Sequence, residues 1–216
     1  MIDYETAFKR PFTDMKKYLI GILVSILPIV NFFSLGYIIE AANMSIHRKH
    51  ELPEWKQPAQ LFLDGFSSVI ITIAYFLPAF IIFAISVSFS GLRVQFFNAM
   101  RNNDVAQLQS IFSQLGPLLF AFVLLMLLAI YLYPVAVLRY AESRKFLHAF
   151  DMTKVIGYAF SSIYPGPWLI ATLISFIMYY ILSFLPYIGN AIATFTSGII
   201  TYTILAQAYG QIRSRL

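Results

Sequence analysis

One carboxylate, Glu40, interrupts an otherwise apolar run, and its surroundings give it chemical interest. With Gly36, Asn43 and His47 it falls at i, i+4, i+7 and i+11 spacing, so a helix would place all four on one face. A carboxylate inside a membrane is costly unless it is neutral, paired or wetted, which makes it a functional candidate. Lining a cavity with a raised pKa, Glu40 could take up a proton or a cation. Paired with a basic residue such as Arg139 at the membrane boundary, it would be structural instead. His47, His50 and Glu51 stand at helical ligand spacing, but a zinc site would need His148 or Glu54 as well. They are read as a solvated interfacial cluster, and no metal is assigned.

The last apolar segment carries two further lines of residues. Thr196, Thr203, Gln207 and Gln211 form a polar line that could face a pore or ligand path. Ala191, Thr194, Gly198, Thr201 and Ala208 form a stripe of small residues, the type that lets transmembrane helices approach closely. The chain has no P-loop, no G-x-S-x-G, no H-E-x-x-H and no glycine-rich dinucleotide turn. With no cysteine, thiolate chemistry and disulfides are excluded. No catalytic residue and no cofactor are assigned.

Composition sets the kind of scaffold that carries these residues. Of 216 residues, 59% are hydrophobic and only 12% charged, with a mean hydropathy of +0.73. A soluble domain carries about 25% charged residues. Continuous apolar runs reach the roughly 20 residues needed to cross a bilayer, and they lack the alternation of a membrane β-barrel. The expected fold is all-α: a polytopic integral membrane protein forming a single transmembrane domain over 1–216. About six membrane segments are predicted, at 16–30, 32–46, 66–90, 116–138, 168–185 and 190–212, paired as three hairpins.

The first pair is short, at about 22 Å each against a core of about 30 Å, and reads as partly re-entrant or stretched by snorkelling lysines. Residues 1–17 form an interfacial amphipathic lead, with Tyr4, Phe8, Phe12 and Met15 at helical spacing. Residues 47–65 and 139–167 are cytoplasmic or interfacial connections, and 91–115 is an amphipathic connection on the outer side. Pro53 suits the first turn of a helix and Trp55 the headgroup level.

Charge sets the orientation. The six-segment arrangement puts 13 of the 15 basic residues on one side, leaving Arg93 and Arg101 on the other. Reading residues 18–39 as one kinked span would give 9 against 6. The positive-inside rule therefore favours a hairpin turning at Pro28–Asn31 and places both termini in the cytoplasm of a cell-membrane protein. The net charge of +5 is mostly this topology signal, with some attraction to anionic lipids, rather than a nucleic-acid signature. An internal echo links Ile22–Asn31 to Tyr180–Asn190: both contain S-x-L-P, a short apolar stretch and asparagine.

Gly36-Tyr37-Ile-Ile-Glu40, His47-Arg48-Lys49, Leu52-Pro53-Glu54-Trp55 and Asp64-Gly65-Phe66 together resemble a family of prokaryotic multi-pass membrane proteins catalogued as a domain of unknown function. The closing stretch Leu185–Gln211 is similar to the end of that family. The resemblance implies a helical integral membrane protein and supplies no activity, ligand or catalytic residue.

Three functional classes stay open. The first is a small transporter or channel-like protein whose path passes Glu40 and the polar line of the last segment. The second is a non-transporting module that binds lipid or a partner protein, a homo-oligomer or membrane partner among them. The third, and weakest, is a membrane enzyme acting on lipid headgroups.

Overall fold

Capping and turn chemistry divide the N-terminal third of the chain into short helices. The computed structural model describes residues 2–89 and 91–215, and for Phe89 the backbone alone. Met1 of the expected lead and Ser90, the expected end of the third segment, lie outside the described residues. Asp3 caps α1 (Tyr4–Lys9), its carboxylate accepting from the Thr6 backbone N–H at 2.9 Å. A 3-10 turn at Arg10–Phe12 follows. Asp14 then caps α2 (Met15–Ile26), accepting from the Lys17 N–H at 3.1 Å. Leu27 is extended, as the residue before a proline prefers, and this ends the helix. The chain turns through Pro28–Val30 into α3 (Asn31–Ile46). The two short helices share a hydroxyl contact, Ser25 to Ser34, at 2.6 Å.

The remaining helices are α4 (Pro58–Phe89), α5 (Arg93–Asn102), α6 (Val105–Ser143), α7 (Met152–Ala159), α8 (Pro165–Leu182) and α9 (Ile188–Arg213). A second 3-10 turn, Phe146–Phe150, precedes α7. The described residues are all-helical, with no strand among them. Four helices, α4, α6, α8 and α9, are long and apolar enough to cross a membrane. The expected six segments thus become four of spanning length and a short pair. At 12 and 16 residues, α2 and α3 measure about 18 Å and 24 Å, below the roughly 30 Å of a bilayer core. Pro53 does not begin a helix; the chain stays irregular until Pro58, which does.

The chain divides into two units. Unit 1 comprises Met1–Ile71 and Leu132–Leu216; unit 2 comprises Thr72–Tyr131. Unit 2 buries Val87, Leu92, Ala99, Ile111 and Leu115. Asn103 closes α5 in the left-handed conformation, and Asp104 caps the start of α6 by accepting from the Gln107 N–H at 2.9 Å. The amphipathic stretch and the following apolar run meet at Gly116, whose φ of 38° and ψ of −112° break the helix inside α6. Only glycine adopts that backbone at low cost.

Unit 1 is organised around α9. Its most apolar stretch is 61% buried, against 11–17% for those of α4, α6 and α8. The small residues explain how. A Cβ on Gly198 would press on the Ile38 side chain of α3, and one on Gly21 would run into the Phe195 ring. Ala191 and Ala208 are buried. Thr194 meets the Tyr179 hydroxyl at 2.8 Å and Thr201 meets Ser175 at 2.9 Å, fastening α9 to α8.

Candidate functional site

The polar chemistry of unit 1 gathers at the end where α3 and α9 finish, around two arginines.

The first centre forms where α3, α4 and the end of α6 meet. A Cβ on Gly36 would overlap the Leu61 carbonyl, and one on Gly65 would overlap the Phe32 carbonyl, so the two helix backbones touch there. That approach brings Glu40 and Asp64 to opposite sides of Arg144, which binds both carboxylates. Asp64 is fully buried, and its other oxygen accepts from the Tyr140 hydroxyl at 2.7 Å and from Gln60 at 3.0 Å. A buried carboxylate is tolerated when its lone pairs are satisfied in this way. Two carboxylates and one guanidinium leave the cluster with a formal charge of −1. Glu40 and Asp64 border a cavity of about 330 Å³ that Glu51 and Glu54 also line.

Arg139, the partner expected for Glu40, is engaged elsewhere. It pairs with Asp151 at 3.3 Å, donates to the His148 carbonyl at 3.0 Å and lies over the Tyr158 ring. Asp151 caps α7 by accepting from the Lys154 N–H, and that bond, with Arg139 nearby, holds its carboxyl below the usual range. Asn43, on the Glu40 face, donates to the Ala141 carbonyl at 2.8 Å and so repeats the link between α3 and α6. The His47 ring meets the Asn43 carbonyl of its own helix at 2.9 Å. Among the described residues, no three His, Asp or Glu side chains gather closely enough to hold a metal.

The second centre is Arg10, in the 3-10 turn after α1. It is fully buried, yet among the described residues no carboxylate touches it. Its guanidinium donates to the Ala41 carbonyl at 3.0 Å, to Ser45, to the Thr203 hydroxyl at 2.9 Å and to the Glu51 carbonyl at 2.9 Å. Among the described residues, its Nε has no hydrogen-bond partner. Burial without a counter-charge pushes the guanidinium down to about 10, so it is still charged at neutral pH.

The polar line of α9 runs beneath the N-terminal segment. Thr196 meets the Tyr18 hydroxyl at 2.9 Å, Thr203 receives Arg10, and Gln207 accepts from the Asp3 N–H at 2.6 Å. Gln211 lines a cavity with Asp3. Trp55 is not a free headgroup anchor: it stacks on Tyr37 with ring centres 4.2 Å apart and donates to the Lys17 carbonyl at 3.1 Å. Tyr37 in turn donates to the Pro53 carbonyl at 2.8 Å. The loop from Leu52 to Trp55 is therefore clamped against α2 and α3.

Sequence reasoning singles out Glu40 and does not find its partners. Asp64 stands just outside the expected third segment, and Arg144 and Arg10 count there only as positive charges on the inner side. One signal is available for Asp64: an acidic residue set within the apolar stretch Leu61–Phe66. Arg10 has no comparable signal, because its neutral partners are ordinary hydroxyls and carbonyls.

No curated protein and no solved structure matches the chain. The family described as a protein of unknown function (DUF4013) matches residues 19–206, a span that contains every side chain of the Arg144 cluster and leaves Arg10 outside. With well over half of its length matched, the chain belongs to this family of unknown function.

Proposed function

We propose that this is a multi-pass protein of the cell membrane, with both termini cytoplasmic, that acts as a non-transporting module binding lipid or a partner protein at its polar end. One observation carries the reading. The polar residues a transport path would need are already committed within the chain: Glu40 to Arg144, Asn43 to Ala141, Thr196 to Tyr18, Thr203 to Arg10 and Gln207 to Asp3. Such partners fasten helices together and leave little to be exchanged with a moving solute.

The orientation survives the loss of two spans. A short hairpin returns the chain to the side it left, so α2 and α3 can enter the membrane part-way without reversing the direction of α4 and the later helices. The 13-to-2 distribution of basic residues is unchanged, and the termini stay on the basic side. A cysteine placed at Gln95 labels from outside and one at Lys56 from the cytoplasm.

The competing transport reading draws on the cavity beside Glu40, whose side chain is 38% exposed. Proteoliposomes decide between the two. The purified protein gives no proton or cation flux above empty vesicles across an imposed gradient. Flux that disappears in a folded Glu40→Gln variant would overturn the module reading and restore the path through Glu40.

A further inference from the structure

Beside Arg10 lies a second cavity, about 270 Å³ in volume, and we propose that it binds a phosphate group, the monoester or diester of a lipid headgroup or free phosphate. The proposal rests on reading the chain as a binding module and names the chemistry of what it binds.

The first support is the uncompensated charge of Arg10. Among the described residues, its four hydrogen bonds end on two carbonyls and two hydroxyls, and its buried Nε has no partner. Neutral oxygens stabilise a buried cation without cancelling its field, which the interior screens poorly. That field reaches the cavity through Ser45, which Arg10 binds and which lines the cavity wall.

The second support is the rest of the lining. Arg48 and His50 both line this space, with Gln211 as a neutral donor; Gln207 also lines it but is bonded to the Asp3 backbone. Arg48 has no ion-pair partner among the described residues, unlike Arg139, Arg144 and Arg213. It occupies the left-handed backbone region, at φ 60°, where the chain leaves α3. Non-glycine residues seldom adopt that conformation, and it persists where surrounding structure enforces it. One opposing charge is present. Asp3 lines the same cavity with both oxygens bonded to Thr6, at 2.9 Å and 2.6 Å, and its single negative charge is outweighed by Arg10 and Arg48 together.

The third support is size and position. The volume equals that of about nine waters, ample for a phosphate and its hydration. The cavity sits at the C-terminal ends of α3 and α9, whose partial negative charge the basic lining must outweigh, on the side that carries most of the basic residues. With α9 spanning the bilayer, that end meets the headgroup layer.

The test uses the full chain in dodecyl maltoside, with thermal unfolding as readout and three probes. These are dioctanoyl phosphatidylglycerol, dioctanoylglycerol as its phosphate-free counterpart, and inorganic phosphate against chloride at equal ionic strength. Phosphatidylglycerol raises Tm by about 3–6 °C at ten times its dissociation constant, and dioctanoylglycerol does not. Arg48→Gln and His50→Gln, both at exposed positions, keep the basal Tm and weaken the phosphatidylglycerol response, the arginine change by about tenfold. An equal response to inorganic phosphate identifies free phosphate as the ligand, and a response to the lipid alone identifies the headgroup. No response to either probe, or one that survives the Arg48→Gln/His50→Gln double variant, overturns the site. The flux measurement is independent of this one, so each reading can fail without the other.

Discussion

Arg144 and Arg10 lie at the same end of unit 1, and the chain has solved the burial of a guanidinium differently for each. Arg144 is ringed by acids: Asp64 beneath it and Glu40 at its side, each brought there by the glycine-to-backbone contacts between α3 and α4. Arg10 is ringed by dipoles alone, two carbonyls and two hydroxyls drawn from α3, the loop after it and α9. The first centre is charge-balanced to within one negative charge, and its members depend on one another. The second keeps its full positive charge and is wired to four groups that remain stable without it. A paired cation is a staple, because removing it strands its partners. A cation solvated by dipoles is also a source of field, available to an anion that arrives later.

The largest test of this contrast is Arg144→Gln. It leaves the buried Asp64 carboxyl without its charged partner, and breaking a fully buried pair in that way costs about 3–5 kcal/mol, an upper figure here because the Arg144 side chain is 27% exposed. Thermal unfolding in detergent should show a fall on the order of 10 °C. Removing all three charges together, as Glu40→Gln, Asp64→Asn and Arg144→Met, recovers most of that loss, because a neutral cluster has no stranded ion. If the triple variant is as unstable as the single one, the centre is held by packing and not by charge balance.

Arg10→Met is the matching change at the other centre, with a smaller expected cost of about 1–2 kcal/mol. It gives up four charge-assisted hydrogen bonds, worth about 1.5–3 kcal/mol each, but also removes a desolvated charge, which offsets most of that loss, and the freed hydroxyls of Ser45 and Thr203 still bond the Ala41 and Ile199 carbonyls. A loss exceeding that of Arg144→Gln would break the distinction between staple and field source.

The two centres also differ in how far they can be read from the chain. The helical class, the long segments and the turn at Pro28–Asn31 follow from composition, proline chemistry and charge asymmetry, all of them local or additive properties. Glu40 is visible because a lone carboxylate in an apolar run is conspicuous. Its partner is not, since choosing between Arg139 and Arg144 depends on the rotation of α6, which no local pattern encodes. Gly36 and Gly65 stand out as part of a resemblance, while their physical role, admitting the backbone of a neighbouring helix, emerges only once the helices are packed. The shortness of α2 and α3 is legible too, from the residues between Lys16 and the Pro28–Asn31 turn and from there to His47. Arg10 is least legible of all, because a cation that binds only hydroxyls and carbonyls leaves no charge pattern to find.

Glu54 and Lys17 offer the smallest and most selective test, an ion pair at the surface of the same region. They meet at 2.7 Å with the Glu54 side chain 58% exposed. Lys17 holds the Glu54 carboxyl below its ordinary 4.5. A carboxylate lowered on folding contributes stability that is present above its unfolded value and is lost as pH falls through its lowered one. Solvent and salt screen an exposed pair, so the contribution is small. Glu54→Gln therefore lowers Tm slightly at pH 7, less in high salt, and the difference closes when unfolding is repeated at a pH below that lowered value. The loop it helps hold, with Trp55 on Tyr37 and Pro53 under the Tyr37 hydroxyl, has other contacts to rely on. A drop as large as that of Arg144→Gln would place the electrostatic staple of this region at the surface instead of at Asp64.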